Sequence, residues 1–109
     1  MTWKVFFFKT TRGDYPVKDF IEDQDKVIRT KIALSILLLK NQGPFLKPPY
    51  IKKLQDKLYE LRISGAMQIR IFYTIHHSEY YLLHAFRKKT QKTPNRELKI
   101  AVDRIKKIV

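Results

Sequence analysis

Hydrophobic positions change their spacing along the chain, and the changes mark its elements. Trp3 to Lys9 is aromatic and β-branched, the composition of a strand, and Thr11-Arg12-Gly13-Asp14 is the turn that ends it. Pro16 suits the first turn of a helix, whose one apolar face comes from Val17, Phe20 and Ile21 and which stops near Asp23. Asp25 can cap a longer helix. There Val27, Ile28, Ile32, Ile36 and Leu39 fall on one side, Leu34, Leu37 and Leu38 widen the stripe, and Asn41 and Gly43 end it. Gly43-Pro44 and Pro48-Pro49 then predict an ordered loop from Gln42 to about Gln55, with Phe45, Leu46, Tyr50, Ile51 and Leu54 needing burial.

Three strand-like segments follow, Leu58 to Ile63, Met67 to Ile75 and Tyr80 to Arg87, at separations that suit hairpins. Thr93 is placed to cap a closing helix with Pro94 at its first position. Its apolar stripe is Leu98, Ala101, Val102 and Ile105, opposite Arg96, Lys99, Lys106 and Lys107. The order predicts an α+β fold in one domain spanning residues 1–109. It has a small antiparallel-rich sheet with two N-terminal helices and a C-terminal helix, all on one face.

Charge sharpens this picture. The chain has 109 residues and a net charge of +13, whereas solubility alone asks for a net charge of about 2 to 8. Residues 1–39 carry seven basic and five acidic side chains, and residues 40–109 carry sixteen and five. A field localised in this way can orient a polyanion, and nucleic acid is the leading partner. With no cysteine, disulfides, thiolate zinc sites and cysteine nucleophiles are excluded. The longest apolar run, Ile32 to Leu39, is interrupted by Ser35 and far short of the ~20 residues that cross a bilayer. The amino terminus lacks the long apolar stretch of a signal peptide, so the expected location is the cytoplasm.

Side chains alternate across a sheet. Glu60 and Arg62 therefore point away from Tyr59, Leu61 and Ile63, and Gln68, Arg70, Phe72 and Thr74 point away from Ile69, Ile71, Tyr73 and Ile75. In the last strand His84, Phe86 and Lys88 alternate less decisively against Leu83, Ala85 and Arg87. Aligned hairpin registers would gather Glu60, Arg62, Arg70, Phe72, His84, Phe86 and Lys88 on one open face. Guanidinium groups hold phosphates bidentately and exposed aromatics stack on unpaired bases, so that face fits single-stranded RNA. Arg87 to Lys92, the densest positive cluster, favours phosphate contact. Three histidines without metal-ligand spacing, and only three glycines, give no metal site and no phosphate loop.

Three segments in order carry a resemblance: Leu58-Tyr59-Glu60-Leu61-Arg62, Arg70-Ile71-Phe72-Tyr73, and Leu83-His84-Ala85-Phe86-Arg87-Lys88-Lys89-Thr90-Gln91-Lys92-Thr93-Pro94. Together they resemble the HigB-like, phage-derived branch of the RelE/ParE toxin superfamily. The resemblance implies the RelE-like fold and the toxin of a type II toxin–antitoxin pair. Such a toxin is a ribosome-dependent endoribonuclease that cuts mRNA in the 30S A site and arrests growth. It implies no cofactor and no metal, because the ribose 2′-hydroxyl attacks the adjacent phosphate. By position, Arg62 and Arg70 would hold the scissile phosphate, and Lys88 or Lys89 would assist the phosphate or the leaving oxygen. Lys53, Lys57, Glu60, Phe72, His84, Phe86, Arg87 and Lys92 would line the RNA path. Lys57 stands where the family commonly has glycine. The implied partner is an acidic antitoxin with a helix-turn-helix domain. Two rival readings are a non-catalytic ParE-like inhibitor of DNA gyrase and an RNA-binding module without cleavage activity.

Overall fold

All the expected elements form, with one strand more. The computed structural model describes residues 1–108. It contains β1 (Val5–Phe7), α1 (Pro16–Glu22), α2 (Lys26–Gln42), β2 (Ile51–Gln55), β3 (Leu58–Ile63), β4 (Ile69–His76), β5 (Glu79–Arg87) and α3 (Asn95–Ile105). The strands make one sheet in the order β1-β5-β4-β3-β2. Short turns join β2 to β5 as an antiparallel meander, and β1 lies parallel to β5. The α+β class with two early helices and one late helix is therefore observed.

Local chemistry sets the helix ends. Pro16 occupies the first turn of α1. The Asp25 carboxylate accepts the Ile28 N–H at 2.9 Å and caps α2. Gly43 ends α2 with φ +50, and a Cβ there would collide with the Trp3 indole, so both the turn and the packing demand glycine. The closing helix starts later than expected. Pro94 is its N-cap, and among the described residues no side chain caps it, Thr93 included.

Helices cover both faces of the sheet, not one. On the first face, Val17, Ile32 and Leu39 from α1 and α2 pack on Leu61, Ile63, Ile69, Ile71, Tyr73 and Leu82. On the second, Ala101 and Ile105 of α3 pack with Phe8, Leu58, Phe72, Leu83 and Phe86. An aromatic cluster on β4 and β5 gives the amphipathic α3 its own apolar seat, and that burial outweighs leaving the face to water. Each fully buried large side chain contributes about 1.5–3 kcal/mol.

Three further expectations are corrected. Residues 51–55 are a strand, not loop, because Pro48 and Pro49 precede the segment without interrupting it. Phe45 and Tyr50 are exposed rather than buried, as are Val27, Leu34 and Leu37 on the outer side of α2. The first strand keeps only three of its seven expected residues, lying at the sheet edge with a single neighbour.

Candidate nucleic-acid interface

The hairpin registers align the polar sides of three strands. Glu60 pairs with Phe72 and Phe72 with His84; Arg62 pairs with Arg70 and Arg70 with Phe86. Directly paired residues share a face, so two rows cross the α3 side of the sheet. The ladder continues past both rows. The Lys88 N–H bonds the Gln68 carbonyl at 2.7 Å, and the Arg62 N–H bonds the Tyr50 carbonyl at 2.8 Å. Arg62, Arg70 and Lys88 thus lie on one face, in neighbouring rows at one corner of the sheet, while α3 packs on β4 and β5.

Two guanidiniums opposite one another repel, and a buried carboxylate holds them. Glu60 Oε1 accepts the Arg62 Nε at 2.9 Å and lies 3.7 Å from the Arg70 Nε, with the Glu60 side chain only 1% exposed. Among the described residues, Glu60 Oε2 and Arg70 Nε have no hydrogen-bond partner. Such a triad costs desolvation and holds only with both signs present.

The two arginines are not equivalent. The Arg70 side chain is 9% exposed, and its Nη1 and Nη2 donate to the Ile69 carbonyl (3.0 Å) and Gln68 Oε1 (3.1 Å). Burial is the largest influence lowering its pKa; Glu60 opposes it and Arg62 adds to it. Arg62 is 30% exposed, and among the described residues only its Nε is engaged. Its outer nitrogens form an open fork positioned by Glu60.

Phe72 and Phe86 are corrected as base-stacking platforms, because both lie in the core beneath α3. Their rings meet edge to face at 5.1 Å, a packing contact. His84 is half-buried and stacked on Phe86, with its Nε2 2.9 Å from Glu97 Oε1 of α3. Burial lowers its pKa, Glu97 works against that shift, and Arg104 reinforces it. The pair ties α3 to the sheet.

Other expected contacts lie elsewhere. Lys53 pairs with Tyr59, its ammonium 5.8 Å from that ring, on the α2 side. Arg87 pairs with Ile69, also on the α2 side, and is exposed. Lys57 sits in the β2–β3 turn, five residues and roughly 17 Å along β3 from Arg62. It adopts φ +64, the left-handed conformation that glycine takes without strain. Lys89 and Lys92 are exposed in the segment between β5 and α3. Lys52 is the residue that sequence reasoning missed. It pairs with Glu60 and so stands on the site face; reading residues 51–55 as a strand and applying the same alternation would have found it.

A mixed five-stranded sheet with a cationic corner, in a small α+β chain, fits the toxins of toxin–antitoxin systems. A family model described as phage-derived protein Gp49-like (DUF891) matches residues 19–106, and the chain belongs to that family. The family lies within the RelE/ParE-like toxin superfamily. No curated protein shows significant similarity to the chain. Among the described residues, no helix is long and apolar enough to cross a membrane.

Proposed function

We propose that the chain is a HigB-like toxin, a single-domain endoribonuclease that cleaves mRNA in the 30S A site of the ribosome. The observation that carries this reading is the corner itself. Arg62 offers an open guanidinium fork beside the positioned charge of Arg70, with Lys88 one step further along the same face. In the proposed step, the ribose 2′-hydroxyl gives its proton to water and attacks the adjacent phosphorus. The bond to the 5′-oxygen breaks, leaving a 2′,3′-cyclic phosphate and a 5′-hydroxyl that takes up a proton. Arg62 holds the non-bridging oxygens, Arg70 adds charge from beneath, and Lys88 or Lys89 stabilises the leaving oxygen. The rate then comes from alignment and fixed charge, and the reaction calls for no metal. Phosphate contacts along the approach fall to Lys52 and the exposed Lys89 and Lys92. The toxin acts in the cytoplasm and is neutralised by an acidic antitoxin carrying a helix-turn-helix domain.

Primer extension on messages from cells expressing the chain alone tests this. Wild type is expected to arrest growth and create new 5′ ends within translated messages. Arg62→Ala should cut the cleavage rate by about 100-fold or more, the usual cost of removing one donor aimed at developing charge. Arg62→Lys should remain impaired because it keeps charge without the fork. Intact transcripts beside broken chromosomal DNA would instead support the gyrase reading.

A further inference from the structure

With Phe72 and Phe86 buried, an exposed aromatic stands next to Arg62: Tyr50, 54% exposed, whose carbonyl accepts the Arg62 N–H. It borders a cleft of about 320 Å³ at the sheet edge, also lined by Lys31, Ser35, Pro49, Arg62 and Ser64. We propose that this cleft binds the nucleotide next to the scissile phosphate, with Lys31 on its phosphate and Tyr50 against its base. This rests on the reading of the chain as an RNA-cleaving toxin.

The volume is at the low end of the ~300–1,000 Å³ typical of small-ligand pockets, the scale of one nucleotide rather than a folded partner. Among the described residues, no carboxylate lines the cleft. Among the described ion pairs, none uses Lys31. Asp25, which borders the adjoining depression, accepts the Ile28 N–H as the cap of α2. The exposed Lys31 side chain reaches over the β3–β4 turn, its ammonium 2.6 Å from where a Cβ on Gly65 would stand. Ser35 and Ser64 bring hydroxyl donors suited to phosphate oxygens. An ammonium, two hydroxyls and an exposed ring beside an arginine form the set that recognises a single-stranded nucleotide: charge for the backbone and a flat face for the base. An acidic peptide would use the cations but has no need of the ring.

Single-turnover cleavage on programmed ribosomes tests the pocket. Tyr50→Leu should lower kcat/KM at least about fivefold, the lower range for losing one stacked base, and Lys31→Ala should lower it as well. The rate at saturating toxin should change less, and Tyr50→Phe should restore most of the loss. For a short RNA 2′-O-methylated at the cleavage position, Lys31→Ala should flatten the plot of log affinity against log salt by about 0.7, one phosphate contact on a single strand. Wild-type cleavage matched by both variants, with an unchanged salt slope, overturns the pocket and leaves the proposed function standing. A wild type that leaves ribosome-bound message intact overturns both.

Discussion

The two faces of the sheet solve different problems with the same strands. Under α1 and α2, Leu61, Ile63, Ile69, Ile71 and Leu82 make an apolar layer. Under α3, the same strands present Glu60, Arg62, Arg70 and His84 among Phe72, Leu83 and Phe86. The first face stabilises through area removed from water, which depends little on direction. The second spends part of that gain on charges that must be paired and aimed. Glu60 is the hinge between the two jobs, buried as deeply as the core yet in contact with a guanidinium that reaches solvent.

Substitutions can pull this contrast apart, and the largest effect is expected on the first face. Ile71 is fully buried beneath α2, so Ile71→Ala should cost about 2–5 kcal/mol in denaturant unfolding. Cleavage per folded molecule should stay unchanged. Phe72→Leu, on the second face, should cost roughly 1–1.5 kcal/mol because volume is nearly kept. It too should leave cleavage per folded molecule intact, and a large loss of rate would mean that the ring touches RNA after all. Lys57→Gly should stabilise by up to about 1 kcal/mol, read as a higher Tm, since it removes left-handed strain from a turn outside both faces.

The smallest effect is expected at His84, whose folded pKa lies below the ordinary 6.5 mainly through burial. The unfolded chain then binds more protons between those two values, so stability falls as pH drops below about 6.5 and levels off beneath the folded value. His84→Gln lacks this group, and its disadvantage against wild type should narrow between pH 7 and 5. A constant gap would show that His84 is not held neutral against α3.

Much of this contrast was legible in the alternation of residues. The pairing of Arg62 with Arg70 and of Glu60 with Phe72 and His84 follows from period two and short turns, which fix register locally. Occupancy of the second face was not legible. Nothing in Leu98, Ala101, Val102 and Ile105 says which side of a sheet their stripe will choose, and the choice decided whether Phe72 faced solvent or a helix. Lys52 was hidden for another reason. Two prolines masked the strand that carries it, although they stop just before it and leave its donors free. Exposure of Tyr50 was equally hidden, because an aromatic in a proline-flanked segment has the same composition whether it packs or projects.

The indecisive pattern of the last strand also has a cause. Phe72 pairs with His84 but Tyr73 pairs with Leu82, which leaves Leu83 as a bulged, supernumerary residue. Leu82 and Ala85 reach α1 and α2, while Leu83 and Phe86 reach α3. A chain one residue shorter at this point would keep an unbroken ladder, with every remaining side chain on its present side. Relatives of unequal length can therefore share the same arrangement of side chains on the two faces. Aligning them calls for a gap at Leu83; without it, the equivalents of His84 and Lys88 would be matched to the wrong columns.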